Sequence, residues 1–213
     1  MAIHVYSSDY LDSAQKNLGN MLDYAVNTCN MELEYFYNIF VNSNVSTQFA
    51  KGNPRYIAGM SGAELAREVF IITKGEEIAI PAEFYLDKSP EYWCGWSLAY
   101  YQWKSGRSFH RINQLVSISE IKNMYPTHHE ADIIRFVNTM DTLYEERHII
   151  SNLEQVRKSV NISIKELSEL SEVEESLLHE MKQDFKKINH IPVFKVLNLS
   201  KVFGCSIEDL LEI

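Results

Sequence analysis

The stretch SIKELSELSEVEESLLHEM, residues 163–181, carries two short helical patterns separated by a three-residue break. Ser163 suits the N-cap of a helix holding Leu167 and Leu170, because a serine hydroxyl accepts an otherwise unpaired first-turn amide. Ser171–Val173 reads as a tight turn, and Leu177, Leu178 and Met181 mark the next helix. Glu172 stands in that turn, and a left-handed backbone there costs about 1–2 kcal/mol. Working outward, Val156 and Val160 mark a preceding helix, and Val196, Leu199 and Phe203 a following one closed by Gly204 as a left-handed cap. A last helix is expected from Ser206. Five short helices, with Leu167, Val173 and Leu178 inside, satisfy a helix-turn-helix: two helices cross steeply and the second is free to enter a major groove.

The remainder of the chain is helical too. Leu33, Phe36, Tyr37, Phe40 and Val41 recur on one face, as do Ala14, Leu18, Met21, Leu22, Ala25 and Val26. A capping pair, Ser61 with Glu64, opens a third helix, and Ser89-Pro90 opens an aromatic fourth. Residues 74–88 read as loop, with at most a short strand over 77–80. Three helical pieces follow Gly106, the last opened by Thr127 and Glu130 and keeping Ile133, Val137, Met140 and Tyr144 on one side. The fold class is therefore all-α. Aromatic residues thin out after position 150, predicting an N-terminal multi-helix domain over 1–150 and a five-helix helix-turn-helix domain over 151–213, with a hinge near Arg147–Leu153.

Charge narrows the function. The 213 residues carry a formal net charge of −9, which argues against a generic basic nucleic-acid binder and requires any DNA contact to come from a local patch. No apolar run approaches the roughly 20 residues of a membrane span, and the N-terminus lacks a signal-peptide pattern. A cytoplasmic protein with no membrane partner is expected. Cys29, Cys94 and Cys205 have no metal-ligand or disulfide spacing and read as buried thiols.

Residues 153–212 resemble the Xre or phage-repressor helix-turn-helix family. Arg157, Ser163, the Leu167/Leu170/Val173/Leu178 skeleton and the ending Val202–Leu211 carry the resemblance. It implies a DNA-binding transcription regulator, with Lys165, Ser176, His179, Lys182, Gln183, Lys186 and Lys187 as DNA contacts and a homodimer on operator DNA. The departures are Ile164, where the family commonly has Gln, and Glu174, Glu175 and Glu180, which place carboxylates on the recognition helix. An alternative follows from them: a protein-binding adaptor or inhibitor whose acidic helix-turn-helix no longer binds DNA. Three N-terminal segments, Phe49–Leu65, Ser89–Trp103 and Ile118–Asp132, resemble an uncharacterised bacterial domain found mainly in Firmicutes. It often precedes a helix-turn-helix and stands near ADP-ribosyltransferase-like toxin genes. That resemblance implies an antitoxin with a cognate toxin, or another protein, as partner.

Other chemistry finds little support. Tyr92, Trp93, Trp96, Tyr100 and Trp103 occupy the aromatic helix, four of them at i, i+3, i+7 and i+10, and any exposed part of that stripe would suit a protein partner. Arg55, Arg67, Arg107 and Arg111 would either line such a groove or pair with local glutamates. Gly52-Asn53-Pro54 reads as a turn and Gly59–Gly62 as a helix entry, and neither spacing is a phosphate loop. His128-His129-Glu130-x-Asp132 is the one metal-like cluster, but a helix start explains the same residues. With no nucleophile–base motif, neither an enzyme nor a cofactor or metal is expected. A small-molecule-sensing repressor would instead show a closed pocket lined by the aromatic stripe.

Overall fold

The computed structural model describes residues 4–82, 87–148 and 150–212. Residues 83–86 of the expected loop and Ile149 of the expected hinge lie outside the described residues. The chain forms two compact units, Met1–Glu145 and Glu146–Ile213. Every regular element among the described residues is helical, so the fold is all-α.

In the first unit a 3-10 turn at Ser8–Tyr10 leads into α1 (Leu11–Asp23), which continues as a five-residue π-helical turn, Tyr24–Thr28. There follow α2 (Leu33–Val41), α3 (Asn44–Ala50), α4 (Pro54–Ile57), α5 (Gly62–Lys74), α6 (Pro90–Ser105), α7 (Phe109–Leu115), α8 (Ile118–His128) and α9 (Ile133–Arg147). Local chemistry sets their ends. The Ser61 hydroxyl accepts the Glu64 amide while the Glu64 carboxylate accepts the Ser61 amide, and α5 stops at Gly75 in the left-handed region. Ser89 caps α6 by accepting the Tyr92 amide at 3.0 Å, and Gly106 closes it.

The centre of this unit is α1, whose Ala14, Leu18, Met21 and Leu22 are fully buried, and which packs most extensively on α6. Glycine makes that packing possible. A Cβ on Gly95 of α6 would overlap the Leu18 carbonyl of α1, one on Gly62 would overlap Asn20, and Gly19 lies directly under the Tyr92 ring. The glycine-bearing segments are thus places where one backbone meets another helix at contact distance. Glu91, buried in the first turn of α6, is held by Lys122 of α8 at 2.6 Å and by the Asn27 amide at 3.2 Å. Burial works against its ionisation, yet these partners outweigh it and keep its pKa below the usual carboxylate range.

One helix start differs from expectation. Thr127 does not open a helix: its hydroxyl bonds back to the Met124 carbonyl at 3.1 Å, and α8 runs through Pro126 to His128. The start falls at Asp132, whose carboxylate accepts the Ile134 amide at 2.8 Å. Once in place, α9 buries Phe136, Val137, Met140 and Tyr144 as its periodicity predicts.

The second unit contains α10 (Asn152–Ser159), α11 (Ile164–Ser171), α12 (Glu175–Gln183), a 3-10 segment at Phe185–His190, and α13 (Val193–Phe203). Its core is aliphatic, built on Leu153, Leu167, Val173, Leu178, Met181 and Leu199 among others. Two features differ from the sequence reading. The segment after Ser206 is a turn rather than a helix, with the Asp209 carboxylate accepting the Ser206 amide and hydroxyl. Leu170 is 62% exposed instead of completing the inward skeleton. The inward face of α11 is centred on Leu167 and Ser171, and at 100° per residue Leu170 falls on its flank.

Candidate nucleic-acid interface

The helix-turn-helix is built from α11, its turn and α12. Ser163 and Glu166 cap α11 reciprocally, with the Ser163 hydroxyl accepting the Glu166 amide at 3.1 Å and the Glu166 carboxylate accepting the Ser163 amide at 2.9 Å. Glu172 occupies the left-handed region at φ 56°, ψ 28°, so the turn carries the backbone strain its sequence implies. Three tethers offset that strain. Ser168 donates to the Val173 carbonyl at 2.7 Å, Asn198 of α13 donates to the Ser171 carbonyl at 3.0 Å, and Lys195 of α13 pairs with Glu174. The turn is therefore clamped from behind by α13, while Leu178 and Met181 anchor α12 from below.

With those two residues inward, Ser176, His179, Glu180 and Gln183 point outward and all four are exposed. Lys165, Lys182 and Lys186 are exposed as well, and among the described residues none of the three makes an ion pair. The other two basic candidates are engaged locally: His179 lies 3.7 Å from Glu175, and Lys187 lies 3.2 Å from Glu180. The seven residues singled out in the sequence are thus exposed or half-buried, with the free cations flanking the outward face of α12 and a carboxylate, Glu180, on it. Arg157 plays a different part. It grips Glu154 bidentately at 2.8 and 2.6 Å and donates to the Ile162 carbonyl, fastening α10 to the following loop. That grip, helped by Lys182 and Lys158, holds the Glu154 carboxyl below the usual carboxylate range.

The structure leaves none of the five residues of the α6 aromatic stripe fully exposed. Trp93 packs edge-on against Tyr125 and Phe136, and Trp103 is stacked under His4 at 3.7 Å and donates from Nε1 to the Tyr6 carbonyl at 2.8 Å. Tyr92, Trp96 and Tyr100 are half-buried, with Lys88 over the Tyr92 ring. The reason is the central position of α6, which meets α1 on one side and α8 on the other. The four arginines are also occupied. Arg55 pairs with Glu68 at 2.9 Å, Arg67 donates to the Ile78 and Ile80 carbonyls, Arg107 binds Asp141 and covers the Tyr144 ring, and Arg111 donates to Gln114.

The remaining candidates are accounted for similarly. His128 Nε2 lies 3.1 Å from the Thr139 hydroxyl and His129 lies 3.6 Å from Glu130. Among the described residues no three metal-ligating side chains come together, and no helix is long and apolar enough to cross a membrane. Cys94 is fully buried, and burial pushes its thiol up to about 12. The signals that sequence reading missed are the exposed apolar residues of α13, Val193, Phe194 and Leu197, whose spacing could have been separated from the inward Val196 and Leu199.

No curated protein and no solved structure matches the chain. Residues 152–213, comprising α10 to α13 and the turns between them, match the family model of the Cro/C1-type HTH DNA-binding domain.

Proposed function

We propose that the chain is a bacterial or phage transcription regulator whose second unit binds operator DNA as a homodimer. The observation that carries this reading is the exposed outward face of α12, together with Lys165, Lys182 and Lys186, which are exposed and make no ion pair among the described residues. Ser176, His179 and Gln183 meet base edges, and Lys165, Lys182, Lys186 and Lys187 meet phosphates. Two subunits double the phosphate contacts, which compensates for a unit that carries 8 basic and 11 acidic residues over 151–213. In the finer form of the reading, residues 1–150 bind a cognate protein and the chain acts as an antitoxin, neutralising a toxin and repressing its own operon. Of the α6 stripe, the half-buried Tyr92, Trp96 and Tyr100 remain for that role, whereas Trp93 and Trp103 are buried.

A gel shift with the DNA upstream of the chain's own gene, run from low to physiological salt, tests the proposal. A shifted band that weakens steeply with salt supports it. The adaptor reading is favoured by one observation, the glutamates on α12 that already hold His179 and Lys187. Absence of a shift even at low salt selects the adaptor.

A further inference from the structure

Among the outward residues of α12, Ser176, His179 and Gln183 each carry a hydrogen-bond donor, whereas an ionised Glu180 only accepts. The Glu180 side chain is 57% exposed, one turn after Ser176 and one turn before Gln183, in the middle of the outward face. The neighbouring carboxylates are placed otherwise. Glu174 is turned to Lys195 of α13, and Glu175 lies beside His179, on the flank of the face at 100° per residue. Glu180 Oε2 lies 3.2 Å from the Lys187 ammonium, and Oε1 has no hydrogen-bond or ion-pair partner among the described residues.

The chemistry of a major groove leaves such an oxygen few matches. Phosphates repel it, as do the N7 and O6 acceptors of guanine and the O4 acceptor of thymine. The donors on base edges are the amines at adenine N6 and cytosine N4. Adenine sets its N7 acceptor beside the amine, a donor–acceptor pair that asparagine or glutamine satisfies and a carboxylate does not. Cytosine offers the amine without that acceptor. Lys187 supplies the counter-charge that a carboxylate needs in the field of the phosphates.

We infer that Glu180 is a specificity-determining residue of the second unit, its Oε1 accepting the N4 amine of a cytosine while Lys187 balances the charge on Oε2. The inference rests on the operator-binding reading above and adds the identity of one base to it. Glu180 then selects among DNA sites, at the cost of every site that sets another base against it.

Selection of binding sites from a pool of random-sequence duplexes, with the full chain at low salt, tests this. The wild-type chain should enrich cytosine at one position of each half-site, by about tenfold over the other bases. Glu180→Gln should move the preference at that position to adenine, and Glu180→Ala should abolish it there while the rest of the selected sequence stays the same. A change of base confined to one position is not produced by a general loss of fold or affinity, and circular dichroism checks that each variant keeps its helices. Loss of the cytosine preference in Glu180→Ala upholds the assignment. Sites selected by Glu180→Ala that match the wild-type sites at every position overturn it and spare the regulator reading, as does a Glu180-dependent position that carries guanine, thymine or adenine in the wild-type sites. A wild-type chain that retains no duplex even at low salt overturns both.

Discussion

The two units hold themselves together by different means. The first is aromatic and tight: Tyr37, Tyr101, Phe36, Phe40, Phe49 and Phe109 are all but fully buried, and α1 and α6 approach until Gly95 has no room for a Cβ. In the second the core is a small aliphatic set, and much of the remaining order comes from polar tethers at helix ends and turns. The contrast separates a unit built on close helix approach from one that leaves a polar helix face exposed. The densely patterned aromatic and glycine segments turn out to be interior architecture, while the plain, Ser- and Glu-rich unit presents the free polar helix face.

The largest effect should come from closing the α1–α6 approach. Gly95→Ala forces a methyl into the Leu18 carbonyl and should cost about 3 kcal/mol or more. Thermal unfolding should show the loss confined to the first unit; an unchanged transition would mean the helices can separate freely. Next is Leu178→Ala, which opens a cavity beneath α12 and should cost about 3 kcal/mol, enough to abolish the cooperative transition of so small a unit. Calorimetry of the full chain reads it directly.

Glu154 gives a smaller, pH-dependent test. Its folded pKa is depressed, chiefly by the Arg157 hydrogen bonds, so its stabilisation is complete above the unfolded carboxylate value. That contribution is lost as pH falls through the depressed folded value. Glu154→Gln should therefore cost about 2 kcal/mol at neutral pH and flatten the acid limb of the second unit's stability curve. Denaturant titrations between neutral and acid pH would show both. The smallest effect has the opposite sign: Glu172→Gly removes the left-handed strain and should stabilise the second unit by about 1 kcal/mol.

Helix existence was largely legible because capping and periodicity are local. Ser61 with Glu64, Ser89-Pro90, Ser163 and Gly204 all mark ends that the structure keeps. Where local signals compete, the reading failed. Thr127 after Pro126 resembles a cap, but its hydroxyl back-bonds to Met124 and Asp132 takes the role. Burial was harder still. Trp93 and Trp103 form an amphipathic-looking stripe, yet α6 is enclosed by helices distant in sequence, and no local pattern encodes that. Leu170, Phe194 and Leu197 show the reverse, because apolar identity alone does not distinguish a core face from an exposed one. For the candidate site, the exposed polar positions of α12 were readable from its period. The Glu175 contact of His179 and the ion pair of Lys187 with Glu180 depend on side-chain geometry and were not.

The most direct test of the account compares the salt dependence of DNA binding for the wild-type chain and a Lys165→Ala/Lys182→Ala/Lys186→Ala variant. If these three free lysines meet phosphates, the slope of log affinity against log salt should become shallower by about 0.9 per lysine removed. Identical slopes for the two proteins, or no binding by the wild type at low salt, would contradict the claim that this face of the second unit meets DNA.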